Sequence, residues 1–237
     1  MNSNKKTARI VGVLFITGTV AGILSLVFTE SILGAADYLT KVSANQNQMV
    51  TGMLFVLIMA AAVVGVPFMM FPIFKKHNET LALGYVGARI IEGVGYIVVV
   101  IILLSLLTLS QEFVKAGAPD ASYFQGLGTL LLAGREWAGL VGITFVFSLG
   151  ALMFYYLWYR SKLIPRFISV WGLIGATLTL VSVPLGMFAH GRFPTISLFL
   201  EMPLAVNEMF LAVWLIVKGF NSSAIASGSA KIDTNKV

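Results

Sequence analysis

The sequence predicts an all-α protein of the membrane, a polytopic bundle of six transmembrane helices with both termini in the cytoplasm. Of its 237 residues, 58% are hydrophobic and only 11% are charged, whereas about 25% of the residues in a soluble domain are charged. The mean hydropathy is +0.91. Six apolar stretches are long enough to cross roughly 30 Å of hydrocarbon at about 1.5 Å per residue. A cytosolic enzyme and a disordered protein are therefore excluded.

The apolar stretches define the predicted helices in order. They cover residues 9–29, 49–74, 81–109, 126–158, 167–189 and 198–218, and a short helix is predicted near residues 35–44. The first stretch follows basic residues, as a signal peptide would, but its apolar run of about 20 residues exceeds the roughly 7–15 of a signal sequence. We therefore expect it to remain as a membrane helix. The third and fourth helices exceed a perpendicular span, so we expect their ends to tilt or project.

The loops between these helices differ in basic residues. If the N-terminus is cytoplasmic, the inner segments hold eleven Lys and Arg residues and the outer loops hold only Lys41, Lys115 and Arg192. Because cytoplasmic loops are enriched in Lys and Arg, we expect both termini inside and a location in the cell membrane. The net charge of +6 is then explained by contact with lipid head groups, so the expected partner is the bilayer and not nucleic acid.

We expect a single membrane domain over residues 1–220 and a flexible cytoplasmic tail over residues 221–237. Small-residue pairs such as Gly18/Gly22 and Gly172/Ala176 predict close helix packing. Such packing occurs within one chain or between copies, so the sequence leaves the oligomeric state open.

Several kinds of chemistry are excluded because the residues they need are missing. The chain has no cysteine, and its two histidines, His77 and His190, are too few for a three-His zinc site. The G-x-S-x-G, H-E-x-x-H and P-loop motifs are absent as well. We expect no metal and no cofactor. Whether the protein is an enzyme stays open, and the sequence favours that it is not.

Charged residues inside the predicted spans are the most informative feature. A charge near the middle of the bilayer costs about 2.5–3.5 kcal/mol, so we expect these residues to face one another inside the bundle. Counted from the predicted helix ends, Glu92, Arg135 and Glu208 lie roughly 14–16 Å deep, and Glu201 belongs at the outer interface. The charged residues in question are Arg89, Glu92, Arg135, Glu136, Glu201 and Glu208.

Helical spacing groups these charges into a site. Tyr85, Arg89, Glu92 and Tyr96 follow an i, i+4, i+7, i+11 pattern, which places them on one face of the third helix. We expect a polar cavity lined by helices three, four and six, with helices one and five completing the wall and the easier opening toward the outside. The predicted cavity or ligand-binding residues are Tyr85, Arg89, Glu92, Tyr96, Arg135, Glu136, Asn207 and Glu208.

The charge balance of this site predicts a further property. Arg89 and Arg135 would face three carboxyl groups, and an unpaired carboxylate in low dielectric is costly. Glu208 has no basic residue one turn away on its own helix. We therefore expect Glu208 to hold a proton or a cation, and Arg135 to join Arg89 and Glu92 in one network.

Three segments resemble a known family of proteins. They are KTARIVG at residues 6–12, GARIIEG at 87–93 and PRFISVWG at 165–172. With these segments, residues 5–220 resemble a family of bacterial six-helix membrane proteins, frequent in Bacillus-like Gram-positive bacteria and catalogued as a domain of unknown function. The resemblance implies a multipass plasma-membrane protein and no particular activity.

Three functions stay open on the sequence alone. The favoured one is a small transporter or ligand-binding membrane protein with a charged cavity near the midplane, whose ligand is a small molecule or a proton. The second is a structural, sensory or partner-binding protein in which buried charges only fix helix packing. The third is a membrane-embedded enzyme acting on a lipid or isoprenoid substrate. A wet cavity would favour the first function, and a dry, fully paired cluster the second.

Overall fold

The computed structural model describes residues 3–117, 121–189 and 194–221. His190 and residues 222–237 of the predicted tail lie outside this part of the chain. The described residues form helices and no strand: α1 (Ser3–Leu33), α2 (Tyr38–Ala44), α3 (Gln46–Phe74), α4 (Glu79–Ala116), α5 (Ala121–Trp137), a π-helical segment (Ala138–Phe145), α6 (Val146–Ser161), α7 (Arg166–Ala189) and α8 (Pro194–Val217).

Within the described ranges, six helical runs are long and apolar enough to cross a membrane, which confirms the predicted class of a multipass helix bundle. One of these runs joins α5, the π-helical segment and α6. The short predicted helix is α2. The third and fourth spans are longer than predicted, because α4 continues to Ala116 and α5 already begins at Ala121.

The six spans form a closed ring. α1 packs against α3, α3 against α4, α4 against α6, α6 against α7, α7 against α8, and α8 returns to α1. In this order α4 and α8 occupy opposite positions in the ring. Side chains that point inward from α4 and α8 can therefore meet across its interior.

The two ends of the ring differ. We call the end at which α1 and α7 begin and α3 and α8 finish the basic end. It carries exposed Lys and Arg residues, among them Lys5, Lys75 and Arg160. At the opposite end, Gln111 of α4 donates a hydrogen bond to Gln46 at the start of α3 (2.9 Å). The last residues of α4 thus project beyond α3, as the length of the predicted span implied.

Buried aromatic side chains fill the ring near the basic end. Phe154 of α6 stacks on Tyr85 of α4 with ring centroids 4.9 Å apart, and Phe74 of α3 meets Trp158 of α6 edge-on at 5.1 Å. Gly172 of α7 leaves room for the neighbouring tyrosine ring, which would overlap any Cβ at that position. We call this set the aromatic plug; its members are Phe15, Phe74, Tyr85, Phe154, Tyr155 and Trp158, all buried.

Candidate functional site

Arg89 is the centre of a charged cluster inside the ring. Its Nη1 donates to Oε2 of Glu92 on the same helix (3.1 Å), and its Nη2 donates to Oε1 of Glu208 on α8 (3.5 Å). Arg89 and Glu92 are 3% and 1% exposed. The bond to Glu208 joins opposite helices, so it crosses the interior of the ring. We call Arg89, Glu92 and Glu208 the charged cluster.

Neighbouring side chains fix the guanidinium of Arg89. It lies 4.9 Å from the ring centroid of Phe147 and 5.5 Å from that of Tyr85, within reach of cation–π attraction. The Tyr96 hydroxyl donates to Oε1 of Glu92 (3.5 Å). The Nε of Arg89 is buried and has no hydrogen-bond partner among the described residues. The cluster is therefore held by π faces, by one hydrogen bond of ordinary length to Glu92 and by longer contacts to Glu208 and Tyr96.

A cavity of about 250 Å³ lies beside this cluster. Every one of the six spans contributes to its wall, so it occupies the interior of the ring. We call it the central cavity. One guanidinium and three carboxyl groups face it, which leaves an excess of acid. Its wall includes Leu14, Gly18, Met59, Val63, Arg89, Glu92, Tyr96, Thr144, Phe147, Thr179, Glu201, Ala205 and Glu208.

Glu201 contributes one of these carboxyl groups, although the sequence placed it at the outer interface. Its Oε1 accepts a hydrogen bond from the Ser182 hydroxyl of α7 (3.0 Å). The sequence did not predict that Glu201 faces the interior; α8 begins at Pro194, whereas the predicted span began at residue 198. Glu201 therefore lies two turns inside the helix. Its seven-residue spacing from Glu208 brings both side chains to the same cavity.

Arg135 does not join the charged cluster, so the predicted network of Arg135 with Arg89 and Glu92 is wrong. It forms an ion pair with Glu30 near the end of α1. Gly134, its neighbour, faces Ile102 of α4. Ile102 lies ten residues beyond Glu92, roughly 15 Å along the helix. The depth estimate failed because counting residues along α5 does not show how far that helix is shifted along α4.

Arg135 lines a second cavity, of about 490 Å³, which we call the outer cavity. Glu136 and Gly139 also line it, as does Ser25 of α1. Four residues belong to the walls of both cavities: Met59, Tyr96, Ile143 and Thr144. The two cavities are therefore neighbours. Tyr96 contacts both of them, between the charged cluster and the ion pair of Arg135 with Glu30.

The π-helical segment lines both cavities, and the sequence did not predict it. Gly95 of α4 packs so closely on this segment that a Cβ there would lie 2.8 Å from the carbonyl oxygen of Gly142. None of the residues of the segment is fully buried. π-Helical turns are rare and often lie at functional sites. Here the segment contributes Ile143 and Thr144 to the walls of both cavities.

Two predicted residues lie outside both cavity walls. Tyr85 is buried beneath Arg89 as part of the aromatic plug. Asn207 is buried and donates from Nδ2 to the carbonyl oxygen of Ile168 (3.1 Å), so it ties α8 to α7. Sequence reasoning missed Glu30 and Phe147. An acid near the end of an apolar span was the only available signal for Glu30, and nothing distinguished Phe147 from other apolar residues.

The chemistry available in this site is that of carboxyl groups, a guanidinium and hydroxyls. In the part of the chain that the structure describes, no group of three or more metal-ligating side chains is placed to hold a metal ion. The groups present can bind a polar solute and exchange protons.

One comparison with known proteins finds a family that matches the chain. Residues 10–219 match a family described as a domain of unknown function, DUF4386. No curated protein and no solved structure matches the chain. The match covers all six spans almost completely.

Proposed function

Because the chain belongs to the DUF4386 family of domains of unknown function, we propose a function from its own geometry. The protein is a small carrier of the cell membrane that binds a solute in the central cavity. The contact between Arg89 and Glu208 carries this proposal, because it places an exchangeable ion pair across a cavity enclosed by all six spans. Intramembrane ionisable groups that face a cavity typically mark a substrate or ion pathway.

The contact to Glu208 is suited to exchange. At 3.5 Å it is longer than the roughly 2.7–2.9 Å of a strong charge-assisted hydrogen bond. Arg89 lies closer to Glu92, at 3.1 Å, so Glu208 is the less tightly held partner. A proton or a cationic group that binds Glu208 would release it from Arg89. Since these residues lie on opposite helices, release would alter the spacing of α4 and α8.

The charge count supports proton exchange at this position. The central cavity has three carboxyl groups, of Glu92, Glu201 and Glu208, for the single guanidinium of Arg89. Unpaired charge is costly in a low-dielectric site, which favours binding of a proton or another cation. We propose that Glu208 is the coupling residue, which takes up a proton when the solute leaves.

Access to the cavity differs at its two ends. The aromatic plug fills the ring near the basic end, whereas the outer cavity adjoins the central cavity on the other side. A carrier that works by alternating access has one such closed end in each state. The eleven-to-three distribution of basic residues supports the orientation in which both termini are cytoplasmic. In that orientation the outer cavity opens to the exterior.

The competing hypothesis is that the buried charges only fix helix register. A cluster with that role would be dry and balanced in charge. The observed cluster has an excess of carboxyl groups and an adjoining volume of about 250 Å³. These two features support the carrier.

Charge displacement after a pH jump tests this proposal. Proteoliposomes adsorbed on a solid-supported membrane report proton binding inside the protein as a transient current, with no need to know the solute. We expect a transient current from the wild type and none from Glu208→Gln. Glu112→Gln is the matched control, because Glu112 is exposed and pairs with Lys115 away from the cavities. A current that Glu208→Gln leaves unchanged would contradict the proposal.

A further inference from the structure

A third cavity, of about 450 Å³, lies at the basic end of the bundle. It is an open depression between the α6–α7 turn and the end of α8, and it shares no lining residue with the two cavities of the proposed carrier. We call it the basic pocket. Its wall consists of Lys162, Leu163, Ile164, Pro165, Arg166, Trp214, Lys218, Gly219, Phe220 and Asn221.

Three cations converge on this pocket without acidic partners. Lys162, Arg166 and Lys218 line it, and no acidic side chain of the described residues does. None of the three takes part in a salt bridge within the described chain. At the opposite end, by contrast, Lys41 pairs with Asp37 and Lys115 with Glu112. The pocket thus has an excess of positive charge that an anion would balance.

The backbone at Lys162 supports a role for its side chain. Lys162 follows the end of α6 with a φ of 56°, in the left-handed region. Helices commonly end with glycine in this conformation, because a side chain there is disfavoured. Lys162 adopts this disfavoured backbone conformation, and its side chain lines the pocket.

The walls of the pocket are fixed by contacts between its two sides. The backbone N–H of Asn221 donates to the carbonyl oxygen of Leu163 (2.8 Å), and the ring of Phe220 lies 5.7 Å from that of Trp158 in the aromatic plug. Next to the pocket, α7 and α8 expose apolar side chains that include Phe167 and Val217. The pocket is therefore a defined basic site continuous with a lipid-facing surface.

We propose that the basic pocket binds the phosphate head group of an anionic phospholipid, whose acyl chains lie along the exposed apolar face of α7 and α8. Basic pockets between membrane helices recognise such head groups. The continuity with apolar surface favours a lipid over free phosphate, because a free ion would gain nothing from that surface. This inference is independent of the carrier mechanism.

Native mass spectrometry of the full-length protein in detergent tests the site. Phosphatidylglycerol and phosphatidylcholine with identical acyl chains are titrated separately, and retained lipid is counted. We expect the wild type to retain one phosphatidylglycerol in preference to phosphatidylcholine. The variant Lys162→Gly/Lys218→Gln should bind phosphatidylglycerol about 30-fold more weakly, given the typical contribution of each basic residue near an anionic surface. Its melting temperature should not fall, because glycine suits the backbone at position 162.

The matched control is Lys75→Gln/Lys76→Gln, which removes the same charge from the α3–α4 turn at the same end. We expect this variant to retain phosphatidylglycerol as the wild type does. An equal loss in both variants would show general surface attraction and would overturn the site. Equal retention of the two lipids by the wild type would do the same. Displacement of the lipid by an equal concentration of inorganic phosphate would overturn the assignment to a lipid.

Discussion

Arg89 and Glu208 meet at 3.5 Å although 119 residues separate them in sequence. The contact connects α4 and α8 across the ring, and Arg89 is nearly inaccessible to solvent. Its guanidinium also forms an ion pair with Glu92 on the same helix. A single cation thus compensates two carboxylates, and the loss of that cation affects both.

Substitution of Arg89 should therefore be severe. Removal of one partner from a buried ion pair typically costs about 3–5 kcal/mol, because the remaining charge is left uncompensated. We expect Arg89→Leu to lower the free energy of unfolding in mixed micelles by this amount. The double variant Arg89→Leu/Glu208→Gln should recover part of the loss. Lys115→Leu, which breaks an exposed pair, should cost less than about 1 kcal/mol. If the single and double Arg89 variants unfold alike, the two residues are not coupled.

Close packing of Gly95 on the π-helical segment makes a second prediction. A Cβ at Gly95 would lie 2.8 Å from the Gly142 carbonyl oxygen and 2.9 Å from a side-chain carbon of Ile143. Backbone must shift to accommodate it, so Gly95→Ala should lower the free energy of unfolding by about 1–3 kcal/mol. A Cβ at Gly87, two turns earlier on α4, would meet no atom of the described residues within 4 Å. Gly87→Ala should be neutral or stabilising, and equal costs for the two would argue against the close contact.

Proton exchange at Glu208 should have a spectroscopic signature. The carboxyl group is expected to gain a proton as the pH falls and to lose it as the pH rises, with Arg89 held by Glu92 throughout. Infrared difference spectra recorded from mildly acidic to mildly alkaline pH should contain a protonated-carboxyl band that Glu208→Gln removes. Glu112→Gln should leave this band in place. A Glu208 signal that is fully ionised in mildly acidic solution, with no cation bound, would oppose the coupling role.

The proposed orientation can be tested because the chain has no native thiol. An impermeant maleimide applied to intact cells should label a cysteine at Asn47, at the start of α3, and not one at Lys76. Lys76 is exposed and avoids disturbing Asn78, whose side chain accepts a hydrogen bond from Leu81 N–H and caps α4. After permeabilisation both should react. The reverse pattern in intact cells would place both termini outside.

Much of the fold could be predicted because membrane spans are local features. Length and hydropathy determine the six spans, and the i, i+3 spacing of Arg89 and Glu92 is enough to predict their contact. Contacts between helices depend on how far one helix is shifted along another, which apolar length alone does not determine. For that reason the pair of Arg135 with Glu30 and the inward position of Glu201 could not be predicted.

The π-helical segment escaped prediction for a different reason. A π turn accommodates an additional residue without a distinctive composition. Gly139 and Gly142 indicated only small side chains near Arg135. The wall that the two cavities share therefore could not be predicted before the backbone of residues 138–145 was placed against Gly95.

Water access to the central cavity tests the account most directly. Ala205 lines that cavity, whereas Val206 is exposed and lies outside the cavity wall. Adjacent residues on a helix point about 100° apart and differ in depth by only about 1.5 Å. Cysteines at these two positions therefore differ mainly in whether the thiol faces the cavity. A water-soluble methanethiosulfonate reagent needs a thiolate, which forms readily in water and poorly in lipid. Added from the side of the outer cavity, it should modify Ala205→Cys at least about tenfold faster than Val206→Cys. Equal rates, or no reaction at position 205, would contradict a solute cavity and favour charges that only fix helix packing.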